Sequence, residues 1–416
     1  MALIRARSGV VAVLLIVPLS LPAQIPQTFA TDGDVGRHTS ITVDASNNPR
    51  ISYFDATNTS LKSIWKTDIW YGATVDSVGN VGEYGSIAVS PAPILTFISY
   101  YDAGNEYLKL AVGNFPPYTL ERLPLSVRLM ARTSIALNLS SITPIIAFFD
   151  VNDRNLKLAM FDRGAMFSSP PLSYSHWGLE SVTAVATNVE DLALVLDTGS
   201  EPHLAYIEQT RTTAILKYAN KNCLASGCLT QITAAQQTGQ GTWSIETVPG
   251  TGLVGTSVAL ALDPATGNPL IAYYSGGQLK YAVKAGGSWS IETVDASADV
   301  GRYVSIALST SGDPNLIYYD ATNGNLKHAV KAGGTWTVST IDDTPDDVGQ
   351  YTDVAIGTDD VLHATYYDVT NADLKYAGPQ RHRNACCAAA GTMAMVLFVP
   401  LFTAGFWRRR VRHERG

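Results

Sequence analysis

Charged residues are few in this chain, 16% of 416, whereas glycine occurs 34 times and tyrosine 20 times. That balance excludes a disordered chain or a coiled coil and points to a β-rich, turn-rich protein. Signatures of catalysis are missing too. The seven histidines, His38, His176, His203, His328, His363, His382 and His413, include no pair at the i, i+4 spacing with which a helix holds a metal ion. No glycine-rich phosphate loop opens a helix, and no Gly-x-Ser-x-Gly elbow presents a nucleophile. Cysteine is limited to four residues, and Cys223 and Cys228 have no His or Cys close by to complete a zinc site, so no metal or other cofactor is implied. A formal net charge of −7 gives a surface that repels nucleic acid.

What is present is a repeat. A Leu-Lys pair recurs at Leu61, Leu108, Leu156, Leu216, Leu279, Leu326 and Leu374, at steps of 47, 48, 60, 63, 47 and 48 residues. One supersecondary unit therefore occurs seven times, with extra residues in the third and fourth intervals. The sixth copy divides into four runs rich in β-branched and aromatic residues, Ser305 to Leu308, Leu316 to Tyr319, Leu326 to Val330 and Trp336 to Ile341. Tight bends separate them, as in SGDP before Asn315 and KAGG at Lys331. A lone four-stranded unit cannot bury both faces, but a ring of them can, so the fold expected is an all-β, seven-bladed propeller over residues 24–378.

The seventh unit stops one strand short. QTFATDGDVG at Gln27 aligns with TVSTIDDTPDDVG at Thr337, where a fourth strand leads into the next blade. Pro26 to Thr31 is thus expected to complete blade seven and fasten the termini together; the alternative is a frayed last blade.

The chain ends have their own patterns. Residues 1–23 combine Arg5 and Arg7, an apolar stretch from Val10 to Leu21, and Pro22-Ala23, the layout of a secretory signal peptide. Cleavage after Ala30 would remove the closing strand, and retention as an anchor is the other reading. A polar stem, residues 379–384, leads to 23 uncharged residues, Ala385 to Trp407, enough helix to cross a membrane. The basic tail, 408–416, places the C-terminus in the cytoplasm and the propeller outside the membrane, at the cell surface. The tail also resembles the tripartite C-terminal sorting signals of bacterial surface proteins, in the Cys-based form of myxobacterial exported proteins. The matching residues are Cys386-Cys387, the helix to Trp407, and the Arg cluster from Arg408. That resemblance implies processing by a membrane protease, beside the simpler reading of a plain anchor; lipidation at Cys386 or Cys387 fits either. In an exported chain Cys223 and Cys228 are expected to form a small disulfide loop, a second candidate contact surface.

Acidic residues recur with the repeat. The exit of strand two carries Asp55, Asp102, Asp150, Asp320 and Asp368, usually with Asn three residues on, and Asp34, Asp299 and Asp347 open an Asp-Val-Gly triplet before strand one. Both sets should ring one face, as turn-closing groups that pair with the Lys of the facing strand, as Asp320 with Lys327, or as an acidic rim for polar ligands. Just after the triplet, or its counterpart in unit two, come His38, Tyr84, Tyr303 and Tyr351, placed to stack on sugar faces or to pack between blades. Units three and four lack this aromatic position, so such a site is lopsided.

The unit resembles β-propeller repeats of the Asp-Val-Gly, Tyr-Tyr-Asp, Leu-Lys-Tyr-Ala type found in exported bacterial proteins, over Gln24 to Gly378 and best in units five to seven. The resemblance implies the fold but no activity. Propeller lectins, related by architecture, bind sugars between blades. Sialidases are propellers too, but their Asp-box, Ser-x-Asp-x-Gly-x-x-Trp, is not matched: GGSW at Gly286 and GGTW at Gly333 lack the Asp. Only Arg37 and Arg302 stand where such an enzyme wants three arginines. The expectation is a binding or scaffold module without enzymatic activity that recognises a glycan or polysaccharide through His38, Tyr84, Tyr303, Tyr351, Arg37, Arg302, Asp299 and Asp347. A protein-interaction platform and an extracytoplasmic glycoside hydrolase or lyase are the alternatives.

Overall fold

The computed structural model describes residues 24–129, 132–161, 177–222, 241–250 and 254–379. The signal-peptide stretch 1–23, His176, the Cys223–Cys228 pair, the apolar segment 385–407 with Cys386 and Cys387, and the basic tail 408–416 lie outside the described residues. Every regular element among the described residues is a strand. The strands form seven four-stranded antiparallel sheets.

In six sheets the strand order follows the chain; in the seventh, the first strand of the protein, Gln24–Ala30, pairs antiparallel with the last, Asp373–Pro379. The expected closure is therefore present, with Gln24 opposite Pro379 and Ala30 opposite Leu374. The first strands of successive blades contact one another around the whole ring and so line its channel. They are Val35–Val43, Val81–Val89, Ser134–Asn138, Asn188–Leu196, Val254–Leu262, Val300–Leu308 and Val348–Ile356.

Second strands such as Pro314–Asp320 are buried along their whole length, because neighbouring blades cover both faces. This is why they read as unbroken apolar and aromatic runs rather than alternating ones. Fourth strands lie at the outside and are largely exposed, as in Thr335–Asp342. Seven separate apolar clusters result, each spanning two adjacent blades; Leu270 and Ala272 of blade five, for example, pack with Leu316 and Tyr318 of blade six.

Two of the repeated motifs meet at these borders. A Cβ on Gly301, in the Asp-Val-Gly of blade six, would lie 2.9 Å from the Cα of Leu279, the Leu-Lys leucine of blade five. Gly36, Gly82 and Gly349 approach Leu374, Leu61 and Leu326 in the same way, and all four glycines have positive φ. The triplet is thus the start of one innermost strand passing over the third strand of the preceding blade, at a distance that favours glycine.

First strands are longer than the apolar pattern suggests. In blade six the strand begins at Val300 and not Ser305, because two register shifts interrupt the alternation, between Val300 and Arg302 and between Arg302 and Ser305. The latter shift is a β-bulge and creates the functional geometry.

Candidate functional site at the channel mouth

Opposite single residues of strand two, the bulge sets an extra residue with left-handed backbone: φ is 51° at His38, 55° at Tyr84, 53° at Tyr303 and 52° at Tyr351. Four bulky rings in a region that favours Gly and Asn carry a backbone cost, about 1 kcal/mol or more each. The conformation turns each ring out of the sheet toward the channel.

These four residues of blades six, seven, one and two meet one another. Ring centroids are 5.1 Å apart for Tyr303 and Tyr351, 4.8 Å for Tyr351 and His38, and 4.8 Å for His38 and Tyr84. Each is backed by a strand-two aromatic of its own blade: Tyr319, Tyr367, Phe54 and Tyr101 respectively. The four rings pack against one another between blades and at the same time line the channel cavity: all four are half-buried, and the cavity volume is about 290 Å³. Burial, with Arg37 nearby, holds the His38 imidazole down to about 4, so it is neutral at neutral pH. Burial raises the Tyr84, Tyr303 and Tyr351 hydroxyls above their ordinary value, so they too stay uncharged.

The remaining three blades put different chemistry at the same position. Arg132, Asp191 and Ser257 stand at the same sequence offset in blades three, four and five, and all line the cavity. Arg132 Nε lies 2.9 Å from Asp191 Oδ1, and its Nη2 donates to the Val258 carbonyl at 2.9 Å. Asp191 also accepts from the backbone of Val258 and Leu192. Burial pushes its carboxyl up, against the pull of Arg132. Ser257 accepts the backbone N–H of Tyr303 at 2.7 Å, tying the polar arc to the aromatic one. Arg132, Asp191 and the adjacent Glu190 escaped the sequence reading, because their units lack the Asp-Val-Gly triplet that marks the position elsewhere.

Below the rings a belt of Ser40, Ser86, Ser134, Ser305 and Asp353 stitches the blades together. Asp353 accepts from both Ser40 and Ser305 Oγ and from the backbone of Ile41 and Val354, a set that fills its carboxylate.

Arg37, Arg302, Asp299 and Asp347 are not among the residues lining the cavity. They sit on the same face but at blade borders. Arg37 pairs with Asp34 at 2.6 Å while Tyr367 of blade seven donates to Asp34. Arg302 pairs with Asp299 at 2.6 Å while Tyr274 of blade five donates to Asp299, and Tyr319 donates to Asp347. The strand-two aspartates close turns as expected: Asn58, Asn105, Asn323 and Asn371 each bond back to the Asp three residues before them. The triplet and these turns share one face, since Asp34, Asp299 and Asp347 donate their N–H groups to Thr57, Thr322 and Thr370 in the turns.

The Lys of each third strand behaves differently from expectation in blade six. Lys327 bonds not to Asp320 but to Asp295 of blade five, at 2.5 Å, together with the Tyr318 hydroxyl at 2.7 Å. Lys109 and Tyr100 converge on Asp76, and Lys375 and Tyr366 on Asp342, in the same cross-blade arrangement. Within-blade pairing does occur for Lys157 with Asp150 at 2.9 Å.

Among the described residues no group of three or more His, Cys, Asp or Glu is arranged to hold a metal ion. No family model matches the chain, and no curated protein matches it in sequence. Solved structures resemble it at low identity. A variant of AofleA from Arthrobotrys oligospora is 11% identical with a TM-score of 0.48, covering 76% of this chain and 90% of that one. The Aleuria aurantia lectin, a six-bladed β-propeller described with a fucose recognition mode, is 13% identical with a TM-score of 0.46, over 81% and 90%. A variant of the NanB sialidase of Streptococcus pneumoniae is 13% identical with a TM-score of 0.42, over 88% and 71%.

Proposed function

We propose that the protein is a binding module, displayed outside the cytoplasmic membrane, that recognises a saccharide at the mouth of its central channel. The observation that carries this reading is the arc Tyr303–Tyr351–His38–Tyr84, four rings in mutual contact at strained backbone positions, facing a polar arc of Arg132, Asp191 and Ser257. Ring faces stack on the C–H faces of sugars, and a few placed polar groups fix hydroxyl orientation. A cavity of about 290 Å³ suits one or two sugar rings at the end of a longer chain.

A glycan-array screen of the full chain, beside a Tyr303→Ala, Tyr351→Ala double variant, tests the reading. Binding by the parent that the folded variant loses is the expected result. Binding that survives in the variant would move the site elsewhere, and no binding at high protein concentration would sink the glycan reading.

A further inference from the structure

The channel mouth has an imbalance of charge. One guanidinium, Arg132, lines the cavity with three carboxylates, Glu190, Asp191 and Asp353. Arg132 is already held by Asp191 and by the Leu192 and Val258 carbonyls. Asp353 is saturated by its four donors. Glu190 differs: its contact among the described residues is a 3.5 Å approach from the Asn188 side-chain amide, at the long limit of a hydrogen bond. The aromatic arc is neutral, as the His38 imidazole is held unprotonated. Arg37, just outside, is neutralised by Asp34 at 2.6 Å.

A cavity lined by aromatic rings, with a loosely engaged carboxylate and, among the described residues, no cation that is not already paired, favours a positively charged guest. Resting on the saccharide reading above, we infer that the ligand carries an ammonium group: a saccharide with a free amine, its amino group toward Glu190 and its ring against the aromatic arc. The ring quadrupoles and the carboxylate attract the same charge, and both gain strength where the cavity excludes water. A neutral N-acetylated sugar would stack but would leave Glu190 without a partner. An acidic sugar would meet repulsion.

The test is calorimetric titration of the full chain with a de-N-acetylated glucosamine oligomer, its N-acetylated counterpart of equal length, and tetramethylammonium chloride. The inference expects the free amine to bind at least about tenfold more tightly than the N-acetylated form. It further expects Glu190→Gln, with an unchanged melting temperature, to remove that preference through a loss of affinity for the free amine. Tyr351→Leu keeps the bulk without the π face and should weaken tetramethylammonium as well as the oligomers. Equal affinity for both oligomers would overturn the ammonium inference and leave the saccharide reading standing. Tetramethylammonium binding without either oligomer would uphold the charge preference and overturn the saccharide reading. No binding by any of the three would overturn the inference outright.

Discussion

Phe29, in the first strand of the chain, stacks on Tyr376, in the last, with ring centroids 4.8 Å apart and an interplanar angle of 13°. Trp70 of blade one meets both rings edge-on, so the closing strand is clamped from the next blade as well. Removing residues 24–30 would strip the outer edge from blade seven and expose Tyr376, which is buried in the intact ring. Denaturant unfolding of the shortened chain should show a loss of several kcal/mol and a broader transition, and Phe29→Ala alone a loss of about 1–2 kcal/mol. Unchanged midpoints for both would contradict the closure.

The cross-blade carboxylates give a sharper test of the borders. Burial raises the Asp295 carboxyl, but hydrogen bonds from Lys327, Ser297 and Tyr318 outweigh it and hold it at about 2. Asp295→Ala leaves a buried ammonium and a buried hydroxyl without their acceptor, which should cost about 3–5 kcal/mol. In a double-mutant cycle with Lys327→Met the two losses should fall well short of adding. A cost below about 1 kcal/mol would show that the bond is absent in solution.

Glycine at the triplet is required by contact and by backbone together. Gly301→Ala places a methyl 2.9 Å from Leu279 Cα at a φ of 104°. Thermal melting should fall by an amount equivalent to about 2 kcal/mol or more, whereas Gly334→Ala, with nothing within 4 Å, should pay only for its positive φ.

Acid should weaken the ring through its buried histidines. Burial lowers His328 and His363 to about 4, below the ordinary value of 6.5. As pH falls through 6.5 the unfolded chain takes up protons that the folded chain refuses. The stabilisation is therefore complete above that value and is lost progressively down to about 4. Each histidine accounts for on the order of 3 kcal/mol over that window. Below it, protonation of Asp295, with its folded value at about 2, continues the loss. Urea midpoints measured from pH 7 to pH 4 check this, and His363→Gln should flatten the slope between pH 6.5 and 4. A curve flat down to pH 4 in the parent would contradict it.

The ring was legible in the sequence because its evidence is periodic: the Leu-Lys spacing counts the blades, and the alignment of Gln27 with Thr337 locates the closing strand. The framework role of Asp55, Asp102, Asp320 and Asp368 was legible too, since an Asp with Asn three residues later closes a local turn. Lys327 was matched with the nearby Asp320 when its partner is Asp295 in the neighbouring blade, because partnership across a border leaves no local pattern. The aromatic half of the channel mouth could be read from its fixed offset after the triplet. Arg132 and Asp191 could not, because they sit in units three and four, where that marker is missing.

The measurement that bears most directly on the central claim is a crystal structure of the chain with the best-binding oligosaccharide. The account predicts a sugar ring against Tyr303, Tyr351, His38 and Tyr84, with its polar groups toward Arg132, Glu190 and Ser257. Sugar density between blades at the outer rim, with the channel mouth holding only solvent, would contradict it.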